Sequence, residues 1–212
     1  MNKEQEFLKG TTTVGLVCKD GIILAADRRA TAGFIVNKKA RKIIQLTDTM
    51  AVTMAGLVSD AQLLSKLIKA ELKLKDLQTN RTSNIKEAAN LLGGMLYANI
   101  RKMSMVPGIV GFLLGGVDAQ GFHLYDLGID GSITEADDYV SDGSGSVFAI
   151  GVLETLYKKG ITIDEGIKVA VKALSAALQR DTATGNGIDI LTITDKGLNM
   201  VIEKEVVIKI EI

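Results

Sequence analysis

The sequence predicts an α+β protein: a four-layer sandwich of two antiparallel sheets between helix layers. Three observations lead there. Strand-like segments come in pairs joined by tight turns, which makes their sheets antiparallel. Helical segments arrive in consecutive pairs, not in alternation with strands, so the parallel sheet of a βαβ chain is excluded. The block order is strands, two helices, strands, two helices, strands, which supplies each sheet with a pair of helices to cover its outer face.

The elements follow in order. Residues 11–31, "TTTVGLVCKDGIILAADRRAT", form a hairpin with its turn at Lys19-Asp20-Gly21. Residues 41–56 form two short strands around Thr47-Asp48-Thr49. The period then changes from two to helical over 59–80, with Ser59 as the expected N-cap and Leu64, Leu67, Ile68 and Leu72 on one face. A second helix starts at Asn84, where Glu87 completes a capping-box pattern, and runs to about Met103. Strands return over 109–128, turning at Asp118 to Gly121. A third helix begins within "GSGSVFAIGVLETLYKKG" and stops at Gly160; a fourth spans 163–181. The last hairpin, 187–202, turns at Asp195-Lys196-Gly197, and an apolar tail occupies 205–212.

Composition narrows the chemistry. Apolar residues make up 47% of 212, with only 4% aromatic and no Trp, so the core must be aliphatic. Mean hydropathy is +0.23, which suggests apolar surface buried against partners. Lys plus Arg balances Asp plus Glu at 25 each, which provides no basic face for nucleic acid or an anionic membrane. No apolar run reaches transmembrane length, and "MNKEQEFLKG" lacks the apolar centre of a secretory signal, so a cytoplasmic protein is expected.

The usual nucleophile systems are poorly supplied. His123 is the single histidine and sits in an alternating strand with no motif around it, where a satisfied strand residue is the expectation. Cys18 is the single cysteine, in an apolar strand, and reads as core rather than as a reactive thiol. One of each makes a Cys/His metal site implausible. "GSGSVFAIG" lacks the Gly-Lys-Ser/Thr ending of a phosphate loop.

"LKGTTTVGL", residues 8–16, offers another route. Three β-branched residues fit a strand by propensity alone. Alternatively, the Gly10–Thr11 bond is cut and Thr11 becomes an N-terminus. A threonine hydroxyl needs a base, and a free α-amine with a pKa of about 7.7–8 supplies one without histidine. Residues 1–10 would then be a leader that holds the activity off.

Several motifs, in order along the chain, carry a resemblance to a known family. "GTTTVGLVCKDGIILAADRRATAG" closely resembles the mature start of proteasome β subunits, and "RKIIQL", "TMAGLVSDAQ", "SDGSGSVFAIGVLE" and "SAALQRDTATGNGIDI" resemble the family's later motifs. The short leader is similar to that of archaeal members. The resemblance implies an N-terminal-nucleophile hydrolase fold, a propeptide over 1–10 removed by self-cleavage at Gly10–Thr11, and a catalytic domain over 11–212. It implies Thr11 as nucleophile and base, Asp27 orienting a catalytic Lys42, Gly56 as oxyanion N–H, and Ser144, Asp181 and Thr184 around the threonine amine. Thr184 stands where many relatives carry serine. Lys38 and Lys39 are the less favoured alternatives to Lys42.

For substrate, the resemblance implies Thr31 at a strand edge that an extended peptide joins, and a pocket of Ala30, Ala40, Ile44, Met54 and Val58, which suits large apolar side chains. It implies no cofactor and no metal. The implied partners are other β subunits in seven-membered rings, α-subunit rings, an ATP-driven unfoldase and unfolded protein substrates. A ring component that is never processed is the competing reading. A bacterial two-component threonine protease and an α subunit fit less well.

Overall fold

The computed structural model describes residues 10–206. Residues 1–9 of the leader and most of the apolar tail lie outside the described residues.

The first hairpin, β1 (Thr13–Cys18) and β2 (Gly21–Asp27), forms at the expected turn, and every residue of β2 is buried. Two short strands follow, β3 (Ala30–Thr31) and β4 (Ile35–Asn37), paired with each other. Next come β5 (Ile43–Gln45), β6 (Met50–Gly56), and helices α1 (Val58–Thr79) and α2 (Ile85–Arg101). The second half holds β7 (Val110–Asp118), β8 (Gly121–Leu127), β9 (Ile133–Ala136), β10 (Tyr139–Asp142), α3 (Ser146–Leu156), α4 (Ile163–Arg180), β11 (Gly187–Thr194) and β12 (Gly197–Glu205).

Two five-stranded sheets result, ordered β10-β1-β2-β11-β12 and β5-β6-β7-β8-β9, with all pairs antiparallel. Ile22, Leu24, Leu113, Leu124 and Ile193 fill the space between them. α1 and α2 cover the second sheet through Leu64, Ile68, Leu72 and Leu92. α3 and α4 cover the first through Leu153, Ala173 and Leu174. This is the αββα sandwich expected from the block order. The apolar layers close because successive strand residues alternate between the inter-sheet core and the helix-facing core.

Local expectations fail where the physics is tertiary. Ser59 is not the N-cap of α1. The helix starts at Val58, with Leu57 as an N-cap that makes no side-chain bond. Gly56 has a φ of +113°, and Leu57 N donates to Ile109 O at 2.8 Å, so the chain passes from β6 into the helix without a capping loop. Leu67 is not on the buried face: it is 43% exposed, while Leu64, Ile68 and Leu72 are buried. One residue of helix rotates a side chain by about 100°, which carries Leu67 off the i, i+4, i+8 stripe. α2 has the expected capping box, with Glu87 N donating to Asn84 Oδ1 at 2.8 Å. β3, β4, β9 and β10 carry no hydrophobic alternation and are not legible in the sequence; β9 and β10 are sheet edges with little apolar face to present. His123 Nδ1 lies 2.8 Å from Glu135 Oε1 on β9. The Cys18 thiol is buried, which pushes its pKa up to about 12 and leaves it inert.

Leu113→Ala, between the sheets, should cost the monomeric chain about 2–5 kcal/mol in urea unfolding. Leu67→Ala should stay within about 0.5 kcal/mol.

Candidate active site

The site lies where the start of β1 meets the end of β2. Antiparallel pairing puts Thr13 opposite Ala26, so the residues just before β1 fall beside Asp27. Thr12 N donates to Asp27 Oδ1 at 3.0 Å, and Asp27 N donates to Thr12 O at 3.2 Å. The Asp27 carboxylate has no solvent contact and needs donors. It has four: Thr12 N and Lys42 Nζ (2.6 Å) at Oδ1, and Arg29 N and Gly185 N (both 2.9 Å) at Oδ2.

Lys42 enters from the segment before β5, where its carbonyl accepts from Met54 N at 2.9 Å. Its ammonium is as buried as its partner. Burial pulls its pKa below the ordinary lysine value, against the opposing pull of Asp27 and, more weakly, Asp181. A lysine so placed surrenders a proton more readily than a surface lysine.

A second network reaches Thr11 through Ser144. Thr11 N donates to Ser144 Oγ at 3.3 Å, and Ser144 Oγ donates to Asp181 Oδ2 at 2.5 Å. Thr184 Oγ1 donates to the same carboxylate oxygen at 2.5 Å. With that hydrogen committed, Thr12 Oγ1 is the donor in its 2.7 Å contact with Thr184. The edge strand β10 delivers Ser144, because its pairing sets Asp142 opposite Thr13. Gly143 follows with a φ of +98°, and a Cβ there would overlap the Thr11 carbonyl oxygen. The loop can approach Thr11 this closely only with glycine at that position.

Thr11 and Lys42 border one cleft of about 400 Å³, together with Gly10 and Gly56. Its wall includes Ala30, Thr31, Ala40, Met54 and Val58. Apolar wall residues beside the polar Thr11 and Lys42 give the cleft the make-up of a pocket that can take up a side chain.

The family model described as "Proteasome subunit" matches residues 7–193. A "Proteasome subunit beta" of Archaeoglobus profundus is 43% identical over 204 residues, covering 96% of this chain and 93% of that protein. One of Methanohalophilus mahii is 44% identical over 206 residues, covering 95% and 94%. One of Methanopyrus kandleri is 41% identical over 208 residues, covering 97% and 98%. The chain belongs to the proteasome subunit family. With relatives of the β kind over nearly its whole length, its function is that of a β-type proteasome subunit, a peptidase component that assembles with other subunits.

The chain brings Thr11, Asp27, Lys42, Ser144, Asp181 and Thr184 together at one site, although 173 positions separate the first from the last. Ile44 is the exception among the expected pocket residues. It does not line the cleft; it packs half-buried against the core beneath the second sheet, because β5 turns it toward the helices. The cleft also has members that the expected pocket lacked. Lys39 and Arg41 stand at its lip, paired with Glu205 and Glu203 at 3.0 Å each. Thr12, Gly143, Gly185 and Arg29 were missed as well. Arg29 Nε donates to Asn186 Oδ1 and Nη1 to Thr182 O, both at 2.8 Å, which fastens the Asp181–Thr184 turn. The one available signal is its place two residues after Asp27; the bond partners are 153 and 157 residues away.

Asp27→Ala should destabilise the chain by about 3–5 kcal/mol, because it strands a buried ammonium. Adding Lys42→Met should recover only part of that loss in chemical denaturation. The N–H groups of Thr12, Arg29 and Gly185 would remain unpaired, at about 1–3 kcal/mol each.

Proposed function

We propose that the chain is a self-activating threonine endopeptidase, with Thr11 as the nucleophile once the leader over 1–10 has been removed. The observation that carries this reading is the pair of networks that meet at Thr11. Lys42, held by the buried Asp27, borders the same cleft as Thr11, and Ser144–Asp181 holds the Thr11 nitrogen.

Activation follows from that geometry. The Thr11 hydroxyl adds to the Gly10 carbonyl carbon, and the C–N bond to Thr11 breaks as its nitrogen takes up the proton. Water then hydrolyses the resulting ester, which frees the Gly10 carboxylate and the Thr11 amine and hydroxyl. In peptide cleavage the hydroxyl proton passes to a neutral amine, that of Thr11 or of Lys42. The hydroxyl oxygen attacks the substrate carbonyl, the leaving amine takes the proton, and water resolves the ester. The Gly56 N–H serves the developing oxyanion. Asp27 keeps Lys42 in place, and Ser144, Asp181 and Thr184 keep the amine oriented.

The peptide adds beside Thr31 as an extended strand, and the side chain before the cut enters the wall of Ala30, Ala40, Met54 and Val58. Burial there favours large apolar groups by roughly 25 cal/mol per Å². The β subunits form seven-membered rings that face their threonines into a chamber closed by α rings. Folded proteins reach it through an ATP-driven unfoldase, and the particle is cytoplasmic. Neither a metal nor a cofactor takes part.

Intact mass of the chain, before and after assembly with α-type subunits, tests activation: loss of residues 1–10 is expected. Retention in well-formed particles would leave a purely structural subunit. Thr11→Ala should remain full-length and lose at least about 10³-fold in peptidase rate, whereas Thr11→Ser keeps measurable activity. Lys42→Arg should lose about 10²-fold or more despite its retained charge, since a guanidinium stays protonated.

A further inference from the structure

We infer that Ala183 is the steric gauge that restricts the residue before Thr11 to glycine, and so sets the specificity of self-processing. The inference rests on the reading of Gly10–Thr11 as the processing bond.

Gly10 is buried and held on both sides. Its N–H donates to Thr31 Oγ1 at 3.3 Å, and the next N–H, that of Thr11, donates to Ser144 Oγ at 3.3 Å. Between these two anchors its Cα faces Ala183. A Cβ added at Gly10 would overlap the Ala183 Cβ, and would stand 2.8 Å from its Cα and 3.1 Å from its carbonyl carbon. Unbonded carbons settle at about 3.5–4.0 Å. Two of these three neighbours are backbone atoms, so no rotamer change relieves the overlap.

Ala183 cannot retreat easily. It sits in the turn that presents Asp181 and Thr184. Ala183 N donates to Asp181 Oδ1 at 3.3 Å, and Thr184 N donates to Asp181 O at 3.3 Å. The Thr184 side chain is fully buried in its bonds to Asp181 and Thr12. Arg29 clamps the carbonyl of Thr182 and the side chain of Asn186 on either side. The burden of any larger residue therefore falls on position 10, which must move its carbonyl carbon away from the Thr11 hydroxyl. A displacement of about 1 Å at a reacting centre can cost 10²-fold in rate.

The same wall need not select peptide substrates. The Gly10 carbonyl is bonded to Thr11 N, and this short tether forces its Cα against Ala183. A free peptide is tethered to nothing, reaches only the hydroxyl, and can turn its side chain into the apolar cleft. One site can thus be strict toward its own leader and permissive toward substrates.

The test is a processing time course by intact mass, in particles assembled with α-type subunits, for the native chain, Gly10→Ala, Ala183→Gly, the double variant and Ala183→Val. Gly10→Ala should slow leader removal at least about 30-fold, and adding Ala183→Gly, which removes the Cβ overlap but leaves the 2.8 Å approach to the Cα, should recover at least about 5-fold of that loss. Ala183→Val, with native Gly10, should slow it about 10-fold or more. The single Ala183→Gly chain reports on folding and assembly. A double variant as slow as Gly10→Ala would overturn the inference, since the Ala183 side chain would then not be what excludes a larger residue. Native-rate processing of Gly10→Ala or of Ala183→Val would overturn it too. A native chain that never loses its leader would instead remove the processing reading, and the inference with it.

Discussion

A carboxylate with no access to water has to be surrounded by donors, and the Asp27 side chain organises the site by that requirement alone. Its two oxygens draw in one cation and three backbone N–H groups from four separate segments: the residue before β1, the turn after β2, the segment before β5 and the loop before β11. Losing any of these contacts leaves a buried charge partly uncompensated. The pair with Lys42 therefore belongs to the fold as much as to the chemistry. The same burial that makes Lys42 dependent on Asp27 also lowers its pKa, so the structural requirement and a chemically useful amine arise together.

The second network is cheaper in charge and richer in hydroxyls. Asp181 accepts from Ser144 and Thr184, and Thr12 donates into Thr184, so one carboxylate orders side chains from the residue before β1, the β10–α3 loop and the loop after α4. Each helix-end or loop residue involved has an ordinary alternative role in isolation. What distinguishes them is that they join in one chain of bonds that ends at the Thr11 N–H through Ser144 and at the Thr12 hydroxyl through Thr184. Gly143 makes that approach possible by offering no side chain where the Thr11 carbonyl must pass.

The sandwich explains why the convergence occurs at this end of the molecule. The apolar layers above and below the first sheet hold β1 and β2 rigidly, and β2 is buried throughout. Polar groups can gather only where strands end and loops begin, outside the packed layers. The site uses that rim, with the cleft walls supplied by the short β3 segment, the approach to β5 and the β6–α1 corner. The salt bridges from Lys39 and Arg41 to β12 tie the lip of the cleft to the far edge strand of the same sheet.

The sequence alone determined the α+β class, the two long hairpins around Asp20 and Asp195, the four helices and the capping box at Asn84. These depend on turn residues and on periods of two and 3.6, which are local properties. Motif resemblance also singled out Thr11, Asp27, Lys42, Ser144, Asp181 and Thr184 before their contacts were known. Only the tertiary structure decided the start of α1 at Val58, the outward turn of Leu67, the edge strands β9 and β10, and the exclusion of Ile44 from the cleft. Only it brought out the contacts of Thr12, Arg29, Gly185 and Ala183, each of which has a partner more than 150 residues away along the chain. The reason is physical. A turn or a helix cap is a bargain between neighbours in sequence, while a buried carboxylate or a closed cleft is settled by whichever distant backbone the packed layers bring within reach.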